Sequence, residues 1–453
     1  MSSLANSHAE TLSMRGKRAT EPCLPYIGAY IRSLGNQYHP ETNKDGVICL
    51  CVAENKLSEN EVKELFEPTT GDYESPGFVK SDLYYYNDNK GMINFKAKMC
   101  RLLKSSLKLA QDVSPENICC SVGTGVILEN LALNLCDHGD GILIPSPYYP
   151  AFDNDLSVRA GCDIFSCPMA YEAPYKSAAK TFVLSQNSLE YGLQHAISRG
   201  AIPKLLVLTN PNNPTGTAYS RETILMVLNF AYERQLHVIS DEIYARTVYD
   251  DAPGLASFVS ALTVVDEDGT DALKAWAENF MHIVYGFSKD FCVSGFRIGV
   301  LHSKNQALNQ ALDNVSYFSC IPSIMQDYLM KGLFAKPDKC VEDYTAVNNA
   351  KIRTSALALY SILDELHLEY VRANSGIFVF VNFSSLLDAQ TVDAEKRLHT
   401  VLYEKCRVLF TPGYSCHGPP GWMRVCFAWV PLKHLKVAFE NIKQYMAVRE
   451  AST

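Results

Sequence analysis

Short apolar runs alternate with helix-like segments between residues 96 and 320, and this alternation constrains the fold more than any other feature of the chain. Two segments between the runs, 126–136 and 222–234, have the periodicity of amphipathic helices. Continuous apolar strands separated by helices are typical of a buried, mostly parallel sheet, so we predict an α/β fold. The predicted strands are 118–122, 142–144, 205–208, 237–239, 283–285 and 298–301.

The rest of the chain predicts a second, smaller domain. A length of 453 residues exceeds one ordinary core. After about residue 325 come a helical stretch at 344–366, an alternating strand at 376–382 and a helix at 432–448, which together indicate an α+β unit. The predicted organisation is an N-terminal arm (1–45), a first part of the small domain (46–95), a large cofactor-binding domain (96–325) and the rest of the small domain (326–453).

Composition excludes several classes of function. The net charge of −8 argues against nucleic acid or an anionic membrane surface as a partner, and no apolar run approaches the ~18 residues of a membrane span. The first ten residues lack the pattern of a signal peptide, so we expect a cytoplasmic protein. The 15 cysteines show no Cys-x-x-Cys spacing, which favours buried free thiols and predicts no metal site.

Glycine-rich and polar motifs follow several predicted strands, where ligands of open parallel sheets bind. The sequence Ser-Val-Gly-Thr-Gly at 121–125 frees backbone N–H groups at a helix start, which suits phosphate, although such turns are often only structural. The motif at 145–150 carries two tyrosines that either stack on a flat ring or pack the loop. At 210–216, prolines and a glycine fix a turn that holds an amide inward.

Two further strand ends carry ionisable groups. Asp241 follows one strand and is either a helix cap or a buried carboxylate that pairs with a pyridinium nitrogen. Tyr244 lies three residues on. Lys289 follows another strand, next to Ser288 and eight residues before Arg297, in a glycine-punctuated loop. Such a lysine is either solvated surface, as in most Ser-Lys pairs, or, with a guanidinium nearby, a Schiff-base lysine that holds pyridoxal 5′-phosphate (PLP).

In this order along the chain, the motifs resemble those of fold-type I PLP-dependent enzymes, the aspartate aminotransferase superfamily. The likeness is greatest to 1-aminocyclopropane-1-carboxylate (ACC) synthase and ACC synthase-like proteins. It implies the PLP-dependent transferase fold, with a mostly parallel seven-stranded sheet and a small domain, and a homodimer that acts on an amino-acid substrate. The motifs that carry it lie at 53–57, 145–153, 210–216, 288–290, 295–299 and 420–427.

The resemblance also implies a role for each matching residue. Lys289 would hold PLP and move the Cα proton, Asp241 would pair with the ring nitrogen, and Tyr244 and Asn213 would hydrogen-bond the phenolate oxygen. Tyr149 would stack on the ring, while Thr124, Gly125, Arg297 and Ser288 would hold the phosphate. Arg424 would bind the substrate carboxylate in a bidentate pair. Glu54 would lie near a cationic substrate group, or else be a surface glutamate.

Two positions depart from the family pattern. Gly286 stands where the family usually has a Ser or Thr, three residues before the lysine. Asn89 stands where a tyrosine is offered across the dimer, with Tyr86 as a substitute if the loop shifts. The expected activity is ACC synthesis from S-adenosylmethionine, and the alternatives are transamination, carbon–sulfur lyase chemistry and a non-enzymatic scaffold.

Overall fold

The computed structural model describes residues 20, 24–68, 81–174, 179–250 and 254–451. About half of the predicted N-terminal arm, residues 1–19 and 21–23, therefore lies outside the described residues. The elements before the main sheet are α1 (Ile27–Leu34), β1 (Ile48–Cys49), α2 (Glu59–Phe66) and α3 (Ile93–Ser106).

The central region alternates strands and helices, as the sequence predicts. Two helices begin where a serine hydroxyl accepts a hydrogen bond from a backbone N–H three residues on, Ser188 to Ser185 and Thr223 to Ser220. The elements are β2 (Ile118–Ser121), α4 (Thr124–Leu135), β3 (Gly141–Ser146), α5 (Phe152–Asp155), β4 (Asp163–Pro168), β5 (Ala170–Glu172), β6 (Thr181–Val183), α6 (Gln186–Ser198), β7 (Pro203–Thr209), α7 (Arg221–Arg234), β8 (His237–Asp241), α8 (Ala261–Asp268), α9 (Asp271–Phe280), β9 (Met281–Gly286), α10 (Phe287–Asp290), β10 (Gly299–Ser303) and α11 (Gln306–Val315).

Seven of these strands form one sheet in the order β2-β10-β9-β8-β7-β3-β4. Strands β4, β3, β7, β8 and β9 are parallel to one another, and β10 is antiparallel to both β9 and β2. The predicted α/β fold with a mostly parallel sheet is confirmed. The prediction missed β4, because this edge strand mixes exposed and buried residues and has no continuous apolar run.

Both faces of the sheet are covered, which explains the continuous apolar runs. Leu206 and Leu208 pack into one buried cluster, while Leu205 and Val207 pack into another on the opposite face. Successive side chains of a strand point to opposite faces, so a strand covered on both sides needs apolar residues at every position.

A second body of structure follows the main sheet. Its antiparallel sheet has the order β11-β12-β15-β14. The elements are α12 (Ser323–Lys331), α13 (Asp338–Glu365), β11 (Glu369–Tyr370), β12 (Phe378–Asn382), α14 (Val392–Glu404), β13 (Val408–Leu409), β14 (Thr411–Pro412), β15 (Trp422–Cys426) and α15 (Leu432–Glu450).

The segment that contains β1 is bonded to this C-terminal body. Strand β1 pairs in parallel with β13. The N–H of Lys56 donates to Ala428 at 2.9 Å, and the N–H of Cys426 donates to Leu50 at 2.9 Å. The domain limits at residues 45, 95 and 325 remain a prediction.

The described cysteines are free thiols and most are buried, which confirms that part of the prediction. Across the described ranges, no helix combines the length and the apolar character needed to cross a bilayer.

A buried carboxyl links the main sheet to α8. Glu242 directly follows β8, is fully buried, and accepts hydrogen bonds on Oε1 from the Ser240 hydroxyl at 2.8 Å and the Ala261 N–H at 2.9 Å. Its Oε2 has no hydrogen-bond partner among the residues that the structure describes. Burial raises the pKa of Glu242 to about 7. The hydrogen bonds oppose this shift because they stabilise the charged form.

We expect Glu242→Gln to flatten the pH dependence of stability. An acid whose pKa is higher in the folded state binds more protons there, so the free energy of unfolding falls as pH rises from the unfolded pKa to about 7. At ~1.4 kcal/mol per pKa unit, Glu242 contributes a fall of order 3 kcal/mol to the free energy of unfolding over this pH range. Urea unfolding at pH 5 and pH 8 measures the difference, and an unchanged pH slope in the variant would contradict the assignment.

Candidate active site

Polar side chains meet at one edge of the main sheet because of the strand directions. The parallel strands β7, β8 and β9 all end there, followed by the loop 210–216, by residues 241–247 and by α10. Strand β10 runs the opposite way, so Arg297, which precedes it, reaches the same edge. The helix α4 begins at this edge too, directly after β2.

A cavity of about 270 Å³ opens at this edge and brings together every residue predicted to contact the cofactor. Arg424 and Glu54 are not among its lining residues, but each bonds to one that is. The lining residues are Thr124, Gly125, Leu128, Tyr149, Ala151, Phe152, Asp155, Thr209, Asn213, Asp241, Ile243, Tyr244, Ser288, Lys289, Ser294 and Arg297.

Lys289 lies in the four-residue helix α10 and reaches across to the N-terminal segment. Its Nζ donates to the carbonyl oxygen of Ala53 at 2.6 Å. Removal from water, together with the charge of Arg424 and against the opposing charge of Glu54, lowers the pKa of Lys289 to about 8. An amine with a pKa near neutrality is a competent nucleophile and base.

Asp241 provides the test of whether the cavity fits a pyridinium ring. Its side chain is buried, and its Oδ1 has no hydrogen-bond partner among the described residues. Burial raises the pKa of Asp241 to about 7, while a hydrogen bond from the Ile243 backbone and the charge of Lys289 oppose the shift. A buried carboxylate oxygen without a donor is costly, and a protonated ring nitrogen in the cavity would supply one. The cavity therefore fits PLP.

The glycine turn before α4 accommodates a guanidinium group. Gly123 has a φ of +104°, and a Cβ added there would lie 2.3 Å from Nη2 of Arg297. Arg297 also donates from Nη1 to the carbonyl oxygen of Ser294 at 2.9 Å. The α4 N-terminus and this guanidinium converge at one end of the cavity, which is a suitable environment for a phosphate group.

The Thr124 methyl group explains the glycine at position 286. A Cβ on Gly286 would lie 2.8 Å from Cγ2 of Thr124 and 2.9 Å from the carbonyl oxygen of Ile298. Thr124 therefore occupies the space that a side chain at position 286 would need. Although position 286 has no hydroxyl, that of Thr124, the first residue of α4, lies at the helix N-terminus.

Two tyrosines line the cavity in different settings. Tyr244 is buried, and its ring makes an edge-to-face contact with Phe378 at 5.5 Å between centroids. Burial raises the pKa of Tyr244 well above its usual value, so the phenol stays protonated and can donate a hydrogen bond. Tyr149 makes an edge-to-face contact with Phe152 at 5.3 Å.

Arg424 is a buried guanidinium at the border of the cavity. It lies on β15 and donates from Nη1 to Oδ1 of Asn213 at 2.9 Å. Its Nη2 donates to the Cys51 carbonyl at 3.0 Å and to the Thr411 hydroxyl at 3.1 Å. Its Nε has no partner in the described structure, so the group retains capacity for an anionic ligand.

Glu54 approaches the cavity from the same segment as Ala53. The hydroxyl of Ser294, which lines the cavity, donates to Oε1 of Glu54. A carboxylate and the guanidinium of Arg424 thus lie at the border of one cavity, which suits a substrate with both a negative and a positive group.

Sequence reasoning missed Asp155 and Ser294. Asp155 ends α5, lines the cavity, and would have its Oδ2 3.4 Å from a Cβ at Gly125. Burial raises its pKa to about 6, and its charge in turn raises the pKa of Asp241. In the sequence, one feature points to Asp155: it lies in a short segment after β3, at the sheet edge that the other motifs share.

Asn89, the second departure, lies in a turn and is not among the residues that line the cavity. The neighbouring Tyr86 is 86% exposed and contacts the ring of Tyr317 at 6.2 Å between centroids.

The fold, together with a cavity that contains a lysine and a buried carboxylate, is typical of PLP-dependent enzymes. The chain belongs to the family described as aminotransferase class I and II, whose model matches residues 76–442. It is a PLP-dependent enzyme of that family.

Within the family, the chain is similar to ACC synthases. It is 33% identical to 1-aminocyclopropane-1-carboxylate synthase 1 of Oryza sativa subsp. indica, over 91% of this chain and 83% of that protein. It is 30% identical to the probable aminotransferase ACS12 of Arabidopsis thaliana, over 93% of this chain and 82% of that protein. Aspartate aminotransferase from Thermus thermophilus with maleate shares the fold, with a TM-score of 0.73 at 20% identity over 96% of this chain and 99% of that one.

We expect Gly286→Ser to weaken PLP binding and lower the melting temperature, because the new Cβ overlaps Thr124 and Ile298. Overpacking of this kind costs about 1–3 kcal/mol, which corresponds to a factor of about 5 to about 150 in the dissociation constant where the cost falls on the PLP-bound conformation. Adding Thr124→Ser removes only the offending methyl group and should restore part of the loss. Absorbance titration of the apoprotein with PLP measures the constants, and a single variant that binds like wild type would contradict the packing argument.

Proposed function

We propose that this enzyme is ACC synthase-like and converts S-adenosylmethionine to ACC and methylthioadenosine. The observation that carries the proposal is that Arg424 and Glu54 both lie at the border of the cavity. Arg424 is bonded to the lining residue Asn213, and Glu54 to the lining residue Ser294. S-adenosylmethionine has an α-carboxylate that matches a guanidinium and a sulfonium that matches a carboxylate. Relatives named ACC synthase, at about 30% identity, support the same substrate.

The proposed roles of the residues follow from their positions. PLP, when bound, withdraws electrons from Cα of an amino acid and makes its proton acidic. Lys289 would hold the cofactor and then accept that proton on Nζ, for which a pKa of about 8 is suitable. Asp241 would accept a hydrogen bond from the ring nitrogen on its unpartnered oxygen.

The remaining roles concern orientation. Tyr244 and Asn213 would hold the ring oxygen, and Tyr149 the ring face. The phosphate would lie against Thr124, Gly125, Ser288 and Arg297, at the end of the cavity where α4 begins. Arg424 would orient the substrate carboxylate, and Glu54 would face the sulfonium.

Transamination is the second candidate function. The similarity to a probable aminotransferase favours it. The same Nζ would return the proton to a different atom, and a keto acid would then be needed to accept the amine. The residues described above serve both reactions, so the products decide between them.

The test is a product assay with S-adenosylmethionine. We expect methylthioadenosine and ACC in equal amounts by chromatography and mass spectrometry. Lys289→Ala should abolish both and remove the visible absorbance of bound PLP, while Arg424→Lys should raise KM about tenfold or more because the bidentate contact is lost. Lys339→Ala, which changes an exposed lysine paired with Asp343, is the matched control.

The same assay contains the results that would overturn the proposal. Conversion of bound PLP to its amine form without methylthioadenosine would establish transamination instead. Release of pyruvate or of a thiol from other amino acids would establish lyase chemistry.

We also propose a homodimer, assembled through an exposed aromatic patch. The patch comprises Tyr84, Tyr85, Tyr86, Tyr317 and Phe318, all at least half exposed. Aromatic clusters of this kind are typical of protein interfaces. The patch adjoins the cavity, because Ser319 accepts hydrogen bonds from the Val122 N–H at 3.0 Å and the Ser121 hydroxyl at 2.9 Å, just before α4. A second copy could thus place a tyrosine near the phosphate end, in the role for which Asn89 is unsuited.

We expect Phe318→Asp, at an 84% exposed position, to shift the protein from dimer to monomer in sedimentation velocity and to weaken PLP binding. Tyr191→Asp changes an exposed aromatic residue on α6 and should leave the mass unchanged. A monomeric wild-type protein would contradict the proposal.

A cytoplasmic location is a further proposal, supported by the free thiols of the described cysteines, which are usual in reducing compartments. Cell fractionation with an antibody to the protein tests it.

A further inference from the structure

Asp290 is a buried carboxylate beside Lys289 that has no part in the roles given above. It is the last residue of α10 and is 2% exposed. Unlike Asp241, it does not line the cavity, and both of its oxygens have hydrogen-bond partners. A carboxylate in such a place costs free energy unless its partners compensate, so its contacts need an explanation.

Four donors converge on this carboxylate. Its Oδ2 accepts hydrogen bonds from the Arg246 N–H at 2.9 Å and from the Tyr285 hydroxyl at 2.9 Å. Its Oδ1 accepts from the Thr247 N–H at 3.0 Å and from the Thr247 hydroxyl at 2.6 Å. An ionised carboxylate is an acceptor on both oxygens, and each oxygen can take two bonds, so the four donors match it.

The contacts join two segments of the site. Three of the four donors belong to residues 246–247, which close the loop that begins at Asp241 and contains Tyr244. The fourth comes from β9, the strand that leads into α10. Asp290 thus fixes the helical turn that carries Lys289 relative to the loop that carries Asp241 and Tyr244.

The loop itself is held from a third side. Asn349 on α13 donates from Nδ2 to the carbonyl oxygens of Arg246 and Val248 at 2.9 Å each. The Arg246 guanidinium donates to the Ser106 hydroxyl at 2.8 Å and pairs with Glu342 at 3.2 Å. Asp290 therefore binds the lysine turn to an anchored loop, and the distance between Lys289 and its partners in the cavity depends on that bond.

We propose that Asp290 is a positioning residue, which sets the place of Lys289 Nζ relative to Asp241 and Tyr244. The inference rests on the proposed role of Lys289 as the cofactor-holding lysine. Burial raises the pKa of Asp290 to about 6, against its hydrogen bonds, so the carboxylate is ionised at pH 7.5 and above, where its acceptor capacity is complete.

The test is the holoenzyme with Asp290→Asn. An amide nitrogen accepts no hydrogen bond, so either orientation of the Asn leaves one backbone N–H, of Arg246 or of Thr247, without its acceptor, while the neighbouring hydroxyl must turn to accept from the amide. We expect the pH midpoint of the cofactor's visible absorbance to shift by about one unit. The fraction of protein trapped on Lys289 by borohydride should fall severalfold, and kcat should fall about tenfold or more, as misplacement by an ångström implies. Peptide mass mapping identifies the trapped lysine.

A milder pair of variants covers the case in which Asp290→Asn does not fold. Thr247→Val keeps the shape but removes the shortest of the four bonds, and Thr247→Ser keeps the hydroxyl. The valine variant should shift the absorbance midpoint in the same direction, and the serine variant should not. Glu395→Gln is the matched structural control, because this buried carboxylate accepts hydrogen bonds from the Tyr414 and Gly421 N–H groups at 3.1 Å each, far along the chain from Lys289.

The outcomes separate the inference from the proposed function. If wild-type protein is not trapped on Lys289, the proposed role of that lysine is wrong. If wild type is trapped, and Asp290→Asn and Thr247→Val lose stability like Glu395→Gln but keep the wild-type absorbance midpoint, then Asp290 is only structural and the inference is overturned.

Discussion

The parallel pairing of β7, β8 and β9 is the constraint on which the site depends. It brings three strand ends to one edge, and the antiparallel β10 then delivers Arg297 to that edge from the opposite direction. Because side chains alternate along a strand, a slip of one residue in any pair would exchange the inner and outer residues and remove a group from the cavity. Such a slip would also exchange residues between the two core clusters, because neighbours such as Leu205 and Leu206 pack on opposite faces.

Burial then tunes the groups that the sheet assembles. The pKa of Asp241, Asp155 and Asp290 rises and the pKa of Lys289 falls, so acids and base approach neutrality from opposite sides. These shifts cost stability, which the surrounding apolar core offsets. The number of hydrogen-bond donors distinguishes two of these carboxylates. Both oxygens of Asp290 have donors, so this residue serves the structure. Asp241 has an oxygen without a partner among the described residues, so it is available to a ligand.

The sequence predicted the parts of the site that local patterns encode. Apolar runs marked the strands, and the polar residues after them, such as Asp241 and Lys289, had to share an edge. The roles implied by resemblance needed recognised motifs in addition. Asp155, Asp290 and Ser294 were missed because their significance lies in contacts with residues distant in the chain, such as Thr247 and Glu54. Likewise, the reason for the glycine at position 286 lies in Thr124, which is distant in the chain and fills the space beside it.

The bond between Lys289 and the Ala53 carbonyl has a mechanical consequence. Ala53 belongs to the segment that is bonded to the C-terminal body through β1 and Lys56, so the amine is tethered to the element that also carries Arg424. To react, Nζ must release that carbonyl. The reactivity of the lysine and the placement of the carboxylate-binding arginine are therefore not independent quantities: one displacement of the C-terminal body changes both, and a substrate that draws Arg424 inward also alters the tether on the nucleophile.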